Sequence, residues 1–191
     1  MELTGIILIV VLAVVIIYFV MIYNQLVQIK HNVSKAWANI DVLLKQRHDE
    51  LPKLVETCRQ YMKFEQETLT RVMQARTQVS EAREQKDIGA LGQAEGQLRG
   101  AVGRLFAVAE AYPDLKANEN FLHLQARISS IENTIADRRE FYNESVNINN
   151  VRIEQFPDSI VAAMLSFRSF ELLKFSREET GEVSVKELFQ A

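Results

Sequence analysis

The stretch IILIVVLAVVIIYFVMIYNQLVQIK runs from Ile6 to Lys30, and its single charge is its last residue. Roughly 20 apolar residues rising 1.5 Å each match a hydrocarbon core about 30 Å thick, and the run from Leu3 to Tyr23 has that length. Tyr18 and Tyr23 fall where an interfacial aromatic belt would lie. A cleavable signal needs a basic beginning, an apolar core of roughly 7–15 residues and a small-residue cleavage site. Here Glu2 precedes the run, the run is too long, and nothing like Ala-x-Ala follows. The expectation is a permanent single span that includes Leu3, Gly5, Ile9, Val15, Phe19 and Tyr23. Lys30 and Lys35 follow it while only the terminal amine precedes it, so the positive-inside rule puts a short N-terminus outside the cell membrane and the rest of the chain in the cytoplasm.

Beyond the span the apolar residues recur at steps of three and four. Leu26, Ile29, Val33, Trp37, Ile40, Leu44 and Arg47 predict that the membrane helix continues to about Asp49. Pro52 marks a break there, with Asp49 as cap of a second helix carrying Leu54, Cys58, Tyr61, Glu65, Leu69, Val72, Arg76 and Val79. Asp87 is a candidate cap for a third helix through Leu91, Leu98, Val102, Leu105 and Ala109, which Pro113 ends. A fourth begins near Asn118 and carries Phe121, Leu124, Ile128, Ile131, Ile135, Arg138, Tyr142 and Val146 to about Asn150. No period-two alternation competes. The predicted fold is all-α: an N-terminal transmembrane helix continuing into an elongated up-and-down four-helix bundle, plus a short C-terminal helical segment. The corresponding divisions are 1–23 for the anchor, 24–156 for the bundle, and 157–191 for an apolar helical segment and tail.

Composition narrows the function. Twenty-two Lys and Arg against 25 Asp and Glu give a net charge of −3, and a pI near 5.7 argues against a nucleic-acid partner. A single cysteine, Cys58, excludes an intramolecular disulfide and any multi-cysteine metal site. None of G-x-S-x-G, H-E-x-x-H, G-x-x-x-x-G-K-[ST] or G-x-G-x-x-G after a strand occurs. His31, His48 and His123 lack the glutamate three residues before them that a di-iron bundle requires. Asn143-Glu144-Ser145 fits the glycosylation pattern, but so short a motif arises by chance. No catalytic, cofactor-binding or metal-binding residue is assigned, and no cofactor is expected.

Three features stand out. Gly89, Gly92, Gly96, Gly100 and Gly103 share one side of the third helix, and each costs roughly 0.5–1 kcal/mol relative to alanine. They form a candidate self-association face, or else a face packed within its own bundle. Charges at core-facing positions, Glu65 and Arg76 on the second helix and Glu132 with Arg138 or Arg139 on the fourth, are candidate inter-helix ion pairs, which set register more than they add stability. The apolar segment carrying Ile160, Met164, Phe167, Phe170 and Phe175 needs cover, from the bundle, from another subunit or from the bilayer surface.

The run YNQLVQIKHNVSKAWANIDVLLKQRHDELPKLVETCRQYMKFEQETL resembles the signature of the LemA family. The matching residues are Tyr23, Asn24, Asn32, Val33, Ala36, Trp37, Ile40, Asp41, Val42, Leu44, Lys45, Arg47, Pro52, Leu54, Val55, Tyr61 and Glu65. Ala75-Arg76, Tyr112-Pro113, Leu115-Lys116-Ala117, Phe121, Leu124, Gln125, Glu132, Arg138, Arg139, Tyr142 and Asn143 extend the likeness. It covers about residues 3–157, and the C-terminal segment matches poorly. Phe64-Glu65 stands where the family often has His-Glu, which removes a histidine from consideration for chemistry there. The resemblance implies a bacterial protein with one N-terminal span, a short exterior N-terminus and a cytoplasmic long-helix bundle, without established enzymatic activity. It also implies an association with stress-response or quality-control membrane proteins such as HtpX-like peptidases. The expected function is a non-enzymatic scaffold or adaptor that self-associates at the membrane, as a membrane-shaping or coat-like assembly. The alternative is a regulatory subunit of a membrane protease in envelope stress response. Expected partners are the lipid bilayer, further copies of the chain and a membrane protein. Asp41 and Arg47 are expected to be structural.

Overall fold

The computed structural model describes residues 2–174, with side chains from Leu3 onward. Phe175 and the tail beyond it lie outside these. Six helices follow one another: α1 Glu2–Tyr61, α2 Gln66–Gln85, α3 Ile88–Ala109, α4 Pro113–Lys116, α5 Glu119–Glu154 and α6 Asp158–Met164. The described residues contain no strand, so the fold is all-α as predicted. They fall into two compact units. Of the described residues, one takes those through Ile40 together with Asp137–Leu172, and the other takes Asp41–Ala136 with Leu173 and Lys174.

The second unit is a bundle of four helical stretches: the latter part of α1, α2, α3 and the first part of α5. Each contributes one stripe to a shared core, with Leu44, Leu51 and Leu54 from α1, Leu69 and Val72 from α2, Leu91, Leu98 and Leu105 from α3, and Phe121, Ile128 and Ile131 from α5. The contacts between Asp41 and Arg83 and between His48 and Arg76 run α1 against α2 in opposite directions. Lys86 closes α2 in the left-handed conformation, donating its backbone N–H to the last turn, and the Asp87 carboxylate accepts from the Ala90 N–H to start α3. Asn118 caps α5 in the same way, at Phe121.

The predicted break at Pro52 does not occur. α1 continues through it to Tyr61, and the chain reverses instead at Met62–Glu65. Proline has no N–H for the carbonyl four residues back, here His48, and an orphaned carbonyl normally costs the helix its continuity. In this fold Arg76 supplies the missing donor from α2: its Nε is 2.9 Å from the His48 carbonyl oxygen. A second guanidinium nitrogen lies 2.6 Å from His48 Nε2. Arginine only donates, so that ring nitrogen accepts and the imidazole is neutral. Burial, reinforced by the Arg76 charge, lowers the His48 pKa in the same sense. The reversal at Met62–Glu65 contains no breaker. Met62 is buried while Phe64 is almost fully exposed, and the turn lets α2 bury its own stripe against α1.

In the first unit α1 pairs with α5. Trp37 meets Tyr142 edge-on at 5.7 Å between ring centres, and Gln25 accepts from Arg152 at 2.5 Å. The expected C-terminal helix is short: α6 ends at Met164, and residues 167–174 have no regular secondary structure. This run is held to α5 by side chains. Asn150 brackets the Phe170 backbone with two hydrogen bonds of 2.9 Å. Asn149 donates to the Arg168 carbonyl and the Tyr142 hydroxyl to that of Glu171.

The Pro52–Arg76 relation is testable by a double-mutant cycle in urea denaturation. Arg76→Met should cost about 1–3 kcal/mol by orphaning the carbonyl. In a Pro52→Ala background, where the helix supplies its own donor, the same change should cost about 1 kcal/mol less. Equal costs in both backgrounds would show that Arg76 does not compensate the proline.

Candidate functional site

The most polar part of the interior lies in the bundle unit. Arg47 on α1 and Glu95 on α3 are both almost completely buried and form a short, charge-assisted contact. Glu132 on α5 completes the group with a buried Oε1 that has no hydrogen-bond partner. Burial pushes the Glu132 carboxyl above its ordinary range, Arg47 and Arg99 oppose that shift, and Glu95 adds to it. Two carboxylates thus share the buried Arg47 guanidinium, with Arg99 acting on Glu132 as well. Such a group stabilises little in net terms but is costly to break, because a lone partner stays buried and charged.

The predicted ion-pair residues are distributed differently. Arg76 serves the His48 carbonyl. Glu65 receives the Tyr112 hydroxyl at 3.5 Å and the Thr68 hydroxyl at the same distance. Arg138 is exposed, and Arg139 is the buried member of the two. Glu95 was not singled out as a core residue. Its signal lay in the α3 stripe, which steps from Leu91 to Leu98 and leaves Glu95 at the missing position. Asp41 holds Arg83 at 2.5 Å on the bundle surface.

Cys58 is fully buried, which pushes its thiol up to about 12 and leaves it un-ionised at neutral pH. Among the described residues no three His, Cys, Asp or Glu converge as metal ligands.

The glycines divide by surroundings. Gly92 is buried under the chain's own C-terminal run: a Cβ there would lie 2.5 Å from the Lys174 carbonyl oxygen. A Cβ at Gly100 or Gly103 meets nothing within 4 Å. Gly89 is exposed and Gly96 half-buried. Within the predicted span Leu3–Met21 and Tyr23 are exposed or partly so while Ile22 is buried, and α1 contains a stretch long and apolar enough to cross a membrane. In the same unit an open groove of about 770 Å³ is lined by Ile29 and Lys35 of α1 and by Asp137, Glu140, Phe141, Glu144 and Ile148 of α5. The segment carrying Ile160, Met164, Phe167 and Phe170 turns only Phe167 and Phe170 partly inward.

An all-α chain of this kind, a helical bundle with an apolar N-terminal helix and an ionic core, defines a class of membrane-associated helical proteins. The LemA family model matches residues 36–186, and the chain belongs to the LemA family. That match starts after the apolar run and includes the C-terminal segment, whose likeness was expected to be poor. Protein LemA of Metamycoplasma hominis is 30% identical over 185 residues, 93% of this chain and 81% of its own. Magnetosome protein MamQ 2 of Paramagnetospirillum magneticum is 26% identical over 193 residues, covering 88% and 70%. Magnetosome protein MamQ of Magnetospirillum gryphiswaldense is 23% identical over 186 residues, covering 85% and 68%.

Two substitution tests follow from these surroundings. Gly92→Ala must displace the backbone at Lys174 and should lower stability by about 1–3 kcal/mol, read from the urea midpoint. Gly100→Ala, in open space, should raise it by roughly 0.5–1 kcal/mol. Glu132→Gln tests the ionic core. An acid whose folded pKa is raised favours folding below its unfolded value and loses that contribution as pH rises through the folded pKa. The variant should therefore gain stability over the parent as pH rises from the acid limb to neutrality. A constant difference across that window would show that Glu132 titrates normally.

Proposed function

We propose that this protein is a membrane-anchored, non-enzymatic helical scaffold that self-associates at the bilayer, in a membrane-shaping or coat-like assembly. The observation that carries this reading lies within α1. One unbroken helix begins with about twenty residues whose large apolar side chains are exposed and continues into a stretch whose stripe is packed. An exposed surface of that size is unfavourable in water at about 25 cal/mol per Å², and a bilayer removes the cost. The lysines at 30 and 35 favour an N-terminus outside and a bundle in the cytoplasm of a bacterial cell membrane. The open positions at Gly100 and Gly103 offer a low face to a second copy. Relatives named as magnetosome proteins support a structural role, since they are named for an assembly rather than a reaction.

A regulatory subunit of a membrane protein, such as a quality-control protease, is the second reading. The groove lined by α1 and α5 favours it, because apolar side chains accompanied by three acidic ones and one lysine suit a basic amphipathic helix.

Light scattering in mild detergent, on the full chain and on one starting at Asn24, separates the two. The scaffold reading expects a discrete oligomer of the full chain that loses mass in Gly100→Leu while keeping its helical circular dichroism. Monomers throughout would refute self-association and leave the groove as the point of contact with a different protein.

A further inference from the structure

α6 packs against the end of the apolar run of α1. Its inner residues, Val161 and Ala162, are buried against Ile22 and Leu26 of α1, with Phe19, Ile153 and Phe167 packed around them. Phe19 and Ile22 belong to the last turn of the apolar run, and Lys30, the first charge after it, is two turns further on. The depth of α6 is therefore set by the helix it touches. On its other side Ile160 is 53% exposed and Met164 68%, and Phe156 in the turn before it is 82% exposed. Ile160 and Met164, four residues apart, share one face of α6, and Phe156 is exposed in the turn that leads into it. Arg152, at the edge of this patch, is neutralised by Asp158 at 2.7 Å, and Phe167 turns inward to meet Tyr23 edge-on at 6.3 Å.

We propose that Phe156, Ile160 and Met164 insert into the acyl–headgroup boundary of the same bilayer that α1 crosses, so that α6 is an interfacial membrane-binding element. The proposal rests on the anchor reading of α1 and adds to it a surface that the span does not include. Lipid is the occupant because the patch is continuous with the apolar run and level with its end. An interfacial helix buries its apolar face roughly 5–10 Å into that boundary. Because the adjoining arginine is already paired, insertion is driven by apolar area and should be alike in phosphatidylcholine vesicles and in vesicles containing phosphatidylglycerol.

The test uses the full chain reconstituted in such vesicles, with a nitroxide attached at Ile160→Cys or Met164→Cys. Cys58 is fully buried, so the introduced thiol is the one labelled. Leu12→Cys reports the span, and Val42→Cys, at an exposed position on α1 well past the apolar run, reports water. Collision with oxygen, which concentrates in lipid, is compared with collision with a polar nickel chelate. The expected result is an oxygen-to-nickel ratio at 160 and 164 several-fold above that at 42, in both lipid compositions. Labels at 160 and 164 that behave like the one at 42, while 12 remains in lipid, overturn the proposal and leave the anchor standing. Labels shielded from both reagents overturn it in favour of a protein contact. A label at 12 in water overturns the anchor and this inference together.

Discussion

A helix can pass from one solvent to another only if its backbone hydrogen bonds never depend on the solvent. In hydrocarbon every N–H and carbonyl must be satisfied internally, and α1 meets that demand with the same i to i−4 pattern that it keeps inside a packed bundle. What changes along it is the side-chain face, from apolar all round to a single stripe. The one place where the pattern is interrupted, Pro52, lies far from the apolar run and is repaired by a side chain of α2. The hairpin of α1 and α2 thus stabilises α1 as well as burying it. A helix that would otherwise kink at residue 48 keeps its direction to Tyr61.

The ionic core works by a different logic. Arg47, Glu95 and Glu132 come from three helices that share no local sequence, and a guanidinium among apolar side chains tolerates few arrangements of its neighbours. Sliding any one helix by a turn would leave a buried charge without its counterpart, at a cost larger than the cohesion lost from the leucines around it. The apolar stripes drive association and the charges select the register. That division explains how a bundle rich in alanine and glycine, with few interlocking side chains on α3, adopts one alignment.

Periodicity made the helices legible, and the cap at Asp87 was readable because Asp acts on an N–H group three residues on; Asn118 was read only as the start of its helix. The break at Pro52 was misread because its remedy, Arg76, is 24 residues away in sequence, and no local rule reports a donor arriving from another helix. The true reversal at Met62–Glu65 carries no turn residue. It follows from where the two stripes can face each other. Of the ionic core, Arg47 and Glu132 stood in apolar stripes, but Glu95 was masked by the glycines around it. The irregular run after Met164 was read as helix because its apolar residues are dense. Its actual path depends on Asn149, Asn150 and Tyr142, whose amides and hydroxyl satisfy a backbone that makes no ladder of its own.

A single helix through a bilayer is free to spin about its own axis, since lipid looks the same from every side. The docking of α6 against Ile22 and Leu26 removes that symmetry by giving one flank of α1 a fixed bulge at the end of its apolar run. Every copy then has a defined front and back in the plane of the membrane. In the assembly proposed above, neighbouring molecules would then meet in particular flank-to-flank arrangements.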